Sequence, residues 1–244
     1  MGADQNFDWR HAAASAIDWW REAGVDATID EAPRDWLARV EAPPVVEDQA
    51  AVAAPFVLPD TLEAFAAWRS GPDAPEAGWP EPMIAAQGTA SSDLMVLVDV
   101  PEREDAQSGM LMSGAAGRLF DRMLAAIGRD RSSIYLAALC TARPVSGRIS
   151  PEIGDRLNEL ARHHVALAGP KRVLLLGNAP SRALLGADAA RARGGLRTLN
   201  LNLGTVEIEI DAVASFHPRF LLEKPAFKAE AWKDLQMLIG GLES

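Results

Sequence analysis

From residue 94 onward, short apolar runs alternate with stretches whose apolar positions fall three and four apart. "LMVLVDV" (94–100), "SIYLAALC" (133–140) and "KRVLLLG" (171–177) are nearly continuous apolar runs, and "GTVEIEIDAVASF" (204–216) supplies one or two more strands. Between them "AAGRLFDRMLAAIG" predicts a helix stopped at Gly128. "SPEIGDRLNELARHHVALAGP" predicts another, capped by Ser150 with Pro151 at its first position and with His163 and His164 expected at its surface. "NAPSRALLG" reads as a short helix after a tight turn at Gly177, and "KAEAWKDLQMLIGGL" as a closing one. Strands apolar throughout, alternating with helices, predict an α/β fold with a parallel sheet covered on both faces.

The first part has a different texture. "DWRHAAASAIDWWREAG" places Ala13, Ala16, Ile17 and Trp20 on one helical face, and Gly24 follows as a stop. Residues 41–57 combine Pro, Ala and acids without a period and read as a linker. "DTLEAFAAWR" predicts a short helix capped by Asp60. The domains expected are therefore 1–57, an acidic, Trp-rich helical extension with its linker, and 58–244. Six of the seven tryptophans lie in residues 1–79, which implies either docking on the main domain or a partner-binding arm.

Charge sharpens this division. Residues 1–105 hold 6 basic and 21 acidic side chains, whereas residues 106–244 hold 18 and 13, so only the second part offers a surface for a polyanion. Cys140 is the single cysteine, which excludes an internal disulfide and any site built from several thiolates. No run approaches the length of a membrane span, and the N-terminus does not read as a signal peptide, so a soluble, cytoplasmic protein without membrane association is expected.

In parallel sheets ligands sit beyond the carboxyl ends of the strands. That rule selects the turn after Val98, the segment after Leu139, the loop after Leu176 and "FHPRF" after Ser215. Asp99 stands at the first of these, followed by Pro101 and the acids Glu102, Glu104 and Asp105; a solvated turn would look the same. His217 stands at the last, stiffened by Pro218, and a histidine there can exchange a proton near neutral pH or serve only structure. Three glycines in "GMLMSGAAGRL" and two arginines in "ARPVSGRISPE" suit close backbone approach and anion binding. The residues by themselves imply a binding crevice.

The order of these pieces, "VDVPERED", "SGMLMSGAAGRLFDRMLAAIG", "IYLAALCTARPVSGRISPE", "GPKRVLLLGNAPSRALLG" and "SFHPRFLLEKPAFKAEAWKDL", resembles the uracil-DNA glycosylase superfamily, and within it the family-four type. The resemblance covers the chain from about residue 94 and implies a three-layer α/β/α fold with a short, mostly parallel central sheet. It also implies a DNA-repair enzyme that flips a base out of the stack and hydrolyses its N-glycosidic bond. By position, Asp99 and His217 would be the catalytic pair. Val98, Pro101, Met112, Ala138 and Pro218 would contact the flipped nucleotide, and Gly114, Gly117, Arg143, Arg148 and Arg219 would contact DNA.

Departures accompany the match. Asp99 stands where the family-four motif has Glu, Glu102 where it has Gly, Met112 where an aromatic stacks on the base, and Ala138 where an Asn reads the uracil edge. The four cluster cysteines are missing, one of their positions being Ala142, so neither metal nor cofactor is expected. Glu223 replaces a basic residue of the last motif. Two readings follow: a glycosylase of altered or broad base specificity, or an inactive relative that keeps the fold as a DNA- or protein-binding module. In either, DNA is the expected partner through the basic part, with a protein partner at the N-terminal extension.

Overall fold

A computed structural model describes residues 9–22, 58–144, 149–240 and Leu242. By its internal contacts the chain divides into Met1–Pro55 and Phe56–Ser244. In the first unit, α1 (Trp9–Glu22) forms where the apolar spacing predicts it, and its Ile17, Trp19 and Trp20 are exposed. The expected linker at 41–57 lies outside the described residues.

The second unit contains, in chain order, α2 (Leu62–Arg69), β1 (Gln87–Gly88), β2 (Leu94–Val98), α3 (Arg103–Ser108), α4 (Ala115–Ala126), β3 (Tyr135–Ala138), α5 (Pro151–Ala168), β4 (Arg172–Leu176), α6 (Asn178–Leu185), α7 (Ala189–Ala192), β5 (Arg197–Leu203), β6 (Val206–Ser215), α8 (Pro218–Glu223) and α9 (Lys228–Ile239). The sheet runs β1-β3-β2-β4-β6-β5. The four inner strands are parallel, and β1 and β5 close the two edges antiparallel.

Alternation along β2 divides the interior. Met95 and Leu97 pack with Leu157, Leu160 and Val165 of α5 and with Ala183 and Leu184 of α6. Leu94, Val96 and Val98 face the other way, onto Phe120 and Leu124 of α4 and Leu235 and Leu238 of α9. Each such side chain taken out of water contributes about 1.5–3 kcal/mol, which is why these strands read as continuous apolar runs. The fold is thus the three-layer α/β/α arrangement expected.

Local signals set the ends of the elements, with two corrections. α5 begins as its sequence dictates, with the Ser150 side chain accepting from Ile153 N. α2 is capped by Thr61 rather than Asp60: the Thr61 Oγ1 accepts from Ala64 N at 3.3 Å. His164 is not a surface residue; it is 7% exposed, and one ring nitrogen lies 2.9 Å from the Tyr135 hydroxyl. The helical face that bears it packs on Phe65 of α2 and Tyr135 of β3, so its burial is set by a neighbour outside its own segment. Trp68 and Trp79 pack against the same side of the core.

Candidate functional site

The strand ends converge on one rim. Backbone pairing continues past β2 and β3, with Leu139 N donating to Val98 O at 2.8 Å and Cys140 N to Asp99 O at 3.1 Å, so the backbone of Asp99 is held in register. Its side chain lines a cavity of about 540 Å³ together with Leu139, Ile149, Asp155, Asn158 and Arg182. Burial raises the Asp99 pKa above the usual aspartate value, and the charges of Arg219, Arg182 and Arg143 work against that rise.

His217 caps α8, and its ring is nearly enclosed, at 7% exposure. Nδ1 accepts from the backbone N–H of Arg219 at 3.2 Å. An Nδ1 lone pair used in this way leaves the neutral ring proton on Nε2. Burial, reinforced by the Arg219 charge, lowers the His217 pKa to about 4, so the imidazole is neutral near pH 7 and Nε2–H is a donor. Gly177 closes one side of the ring: at φ 101° it takes a conformation that disfavours side chains, and a Cβ there would meet the His217 Cβ at 3.3 Å. Behind it, Ser215 Oγ donates to Asp234 at 2.8 Å, and Arg193 bonds the same carboxylate while lying 4.7 Å over the Phe216 ring.

The Gly-rich loop is held by Asp105, a 1% exposed carboxylate that accepts from Met112 N, Ser113 N and Oγ, and Glu102 N at 2.6–2.9 Å. Arg131 holds the opposite polarity, donating to Leu111 O at 2.7 Å and Met112 O at 2.6 Å. Between them Met112 adopts φ 57° and is 2% exposed. Val98, Met112 and Ala138 meet in one apolar cluster. Gly114 caps α4, while Gly117 lies inside, where an added Cβ would fall 1.5 Å from Met112 O.

Pro101 and Pro218 are both buried, Pro218 opening α8. Arg143 donates to Pro101 O at 3.1 Å, and Arg219 pairs with Glu102 at 2.9 Å. Arg148 lies outside the described residues. Arg131 and Arg182 are additions to the residues singled out from the sequence, and Asp105 and Gly177, noted there as one of a cluster of acids and as a tight turn, gain specific partners. Asp105 carried a further local signal, an acid three positions after the residue that starts a short helix.

Residues 85–236 match the family described as the uracil DNA glycosylase superfamily. The chain belongs to that superfamily. Two similar proteins carry the name type-4 uracil-DNA glycosylase. The one from Pyrobaculum aerophilum is 25% identical over 162 residues, 65% of this chain and 82% of the relative. The one from Archaeoglobus fulgidus is 23% identical over 158 residues, 62% of this chain and 77% of the relative. The four-cysteine cluster implied by the family-four resemblance does not fit this superfamily member: its one thiol, Cys140, is buried, donates to Ala142 O at 3.0 Å and is raised far above the ordinary cysteine pKa by desolvation. Ala142 itself is fully buried. Among the described residues, no helix is long and apolar enough to cross a membrane.

Proposed function

We propose that this chain is a DNA glycosylase that hydrolyses the N-glycosidic bond of an extruded, deaminated base. The observation that carries the reading is the state of His217: neutral, with Nδ1 occupied and Nε2–H left to donate. In the reaction the C1′–N bond breaks with its electron pair leaving on the base, and positive charge develops on the sugar. The Nε2–H of His217 stabilises the base anion at its oxygen, and the Asp99 carboxylate stabilises the cationic sugar. Water then adds to C1′, its proton passing to solvent, and an abasic site remains. DNA is the partner, bound through the basic part of the chain in a salt-sensitive manner. Ala138 offers no side-chain hydrogen bond to a base edge and Met112 no aromatic face, which supports broad or altered selectivity over a strict uracil preference.

Oligonucleotides bearing uracil, hypoxanthine or xanthine, single- and double-stranded, incubated with the protein and then treated with alkali, test the reading. Strand breaks that disappear in Asp99→Asn and His217→Ala support it; no breaks on any of these substrates at stoichiometric protein rule it out for them.

A second reading is an inactive relative that binds DNA or protein. It is favoured by the burial of Val98, Met112 and Ala138 within an apolar cluster, and by the exposed Trp19 and Trp20 of α1, which suit a protein partner.

A further inference from the structure

Glu102 and Arg219 are 117 positions apart, yet their side chains meet, Nη1 donating to Oε2 at 2.9 Å. The contact joins the turn after β2 to the first turn of α8, the segments that carry Asp99 and His217. The two partners are unequally covered: the Glu102 side chain is 13% exposed and that of Arg219 is 44% exposed. A guanidinium open on one side could receive an anion from solvent, but here a carboxylate of the same chain already holds it.

The surrounding arginines sharpen the point. Arg143 is bonded to Pro101 O, Arg131 to Asp121 and two loop carbonyls, and Arg193 to Glu230 and Asp234. Arg219 is distinguished among them by an acidic partner in the catalytic turn itself. A carboxylate oxygen and a phosphate oxygen present the same acceptor to a guanidinium. Glu102 therefore offers Arg219 the same kind of acceptor that a backbone phosphate would.

We propose that Glu102 is an internal competitor for DNA phosphate at Arg219, so that it sets how readily the crevice admits a nucleic-acid backbone. The inference rests on the DNA-binding part of the proposed function. Its consequence is an exchange: the strand must displace Glu102 from Arg219 before that guanidinium can take a phosphate.

The test is a salt titration of binding, followed by fluorescence anisotropy, with an undamaged labelled oligonucleotide in single- and double-stranded form. The proteins are the full chain and its Glu102→Gln, Arg219→Ala and doubly substituted variants. Glu102→Gln is expected to bind several-fold tighter, with a dependence of log K on log salt steeper by about one unit, because one more phosphate is neutralised. Arg219→Ala is expected to bind more weakly, and the double variant to match Arg219→Ala. Glu102→Asp keeps the charge but shortens the reach, and is expected to fall between wild type and Glu102→Gln; it stands in if Glu102→Gln melts abnormally. Binding by Glu102→Gln that equals wild type overturns the inference alone. So does an equal gain in the Arg219→Ala background, which would mean general repulsion without competition for Arg219. Absence of binding by every variant at low salt overturns the DNA reading as well.

Discussion

The Arg69 guanidinium and the Glu76 carboxylate form a two-point pair inside the protein, with Nη1–Oε2 at 2.7 Å and Nη2–Oε1 at 2.8 Å. Both partners also serve the segment after β3: Arg69 donates to Leu139 O at 3.1 Å, and Thr141 N donates to Glu76 at 2.9 Å. The pair thus fastens the chain after α2 to the loop leading from Ala138 to Arg143.

Removing one partner leaves an uncompensated charge in the interior, a loss of about 3–5 kcal/mol. Glu76→Gln and Arg69→Ala are expected to lower the urea midpoint accordingly. Replacing both by apolar residues, Arg69→Met with Glu76→Leu, is expected to cost less than the sum of the single changes. Additive losses would mean that the pair is not the coupled unit described.

Two imidazoles should make stability fall with acid. The His164 pKa is lowered by burial to about 3 and that of His217 to about 4, whereas an unfolded histidine takes up its proton near 6.5. Between these values the unfolded state binds more protons, so stability present above pH 6.5 is lost as pH falls toward 4. Each imidazole contributes up to about 1.4 kcal/mol per pH unit in that window. Denaturation in urea at a series of pH values checks the slope, and His164→Gln is expected to reduce it.

Excision should have an acid limb set by Asp99. Burial raises this carboxyl while Arg219, Arg182 and Arg143 oppose the rise, so the rate should climb with pH as the carboxylate forms. Arg182→Ala withdraws one opposing charge and should move the limb to higher pH. A limb that stays put in single-turnover profiles would remove Asp99 as its source.

Two glycines at the start of α4 should respond differently to a methyl group. At Gly117 the added carbon would overlap Met112 O at 1.5 Å, a backbone atom held by Arg131. Gly117→Ala is expected to cost about 1–3 kcal/mol and to disturb the loop. At Gly114 the nearest atom, 3.2 Å away, belongs to the flexible Glu104 side chain, and Gly114→Ala should be nearly neutral. Paired thermal melts give the comparison.

The central strands and long helices were legible because burial on both faces leaves no room for polar residues. β5 was not, since Thr198, Asn200 and Asn202 face solvent between buried Leu199 and Leu201, and half of its positions look like loop. At the site, Asp99 and His217 could be located because strand ends are where such folds bind ligands. The Glu102–Arg219 and Arg69–Glu76 pairs carry no local pattern at all. Glu102 and Arg219 meet only through the packing of distant segments, as His164 meets Tyr135, and Arg69 and Glu76, seven positions apart, through the fold of the turn after α2.

The order of strands also bears on how the molecule is made. β6 is the last strand in chain order yet an interior one, pairing β4 on one side and β5 on the other. Until residue 215 has been synthesised, β4 presents an open parallel edge, able to pair with the wrong neighbour. Because His217 and Arg219 follow immediately, the residues that cover the β4 edge lead directly into the segment that carries them.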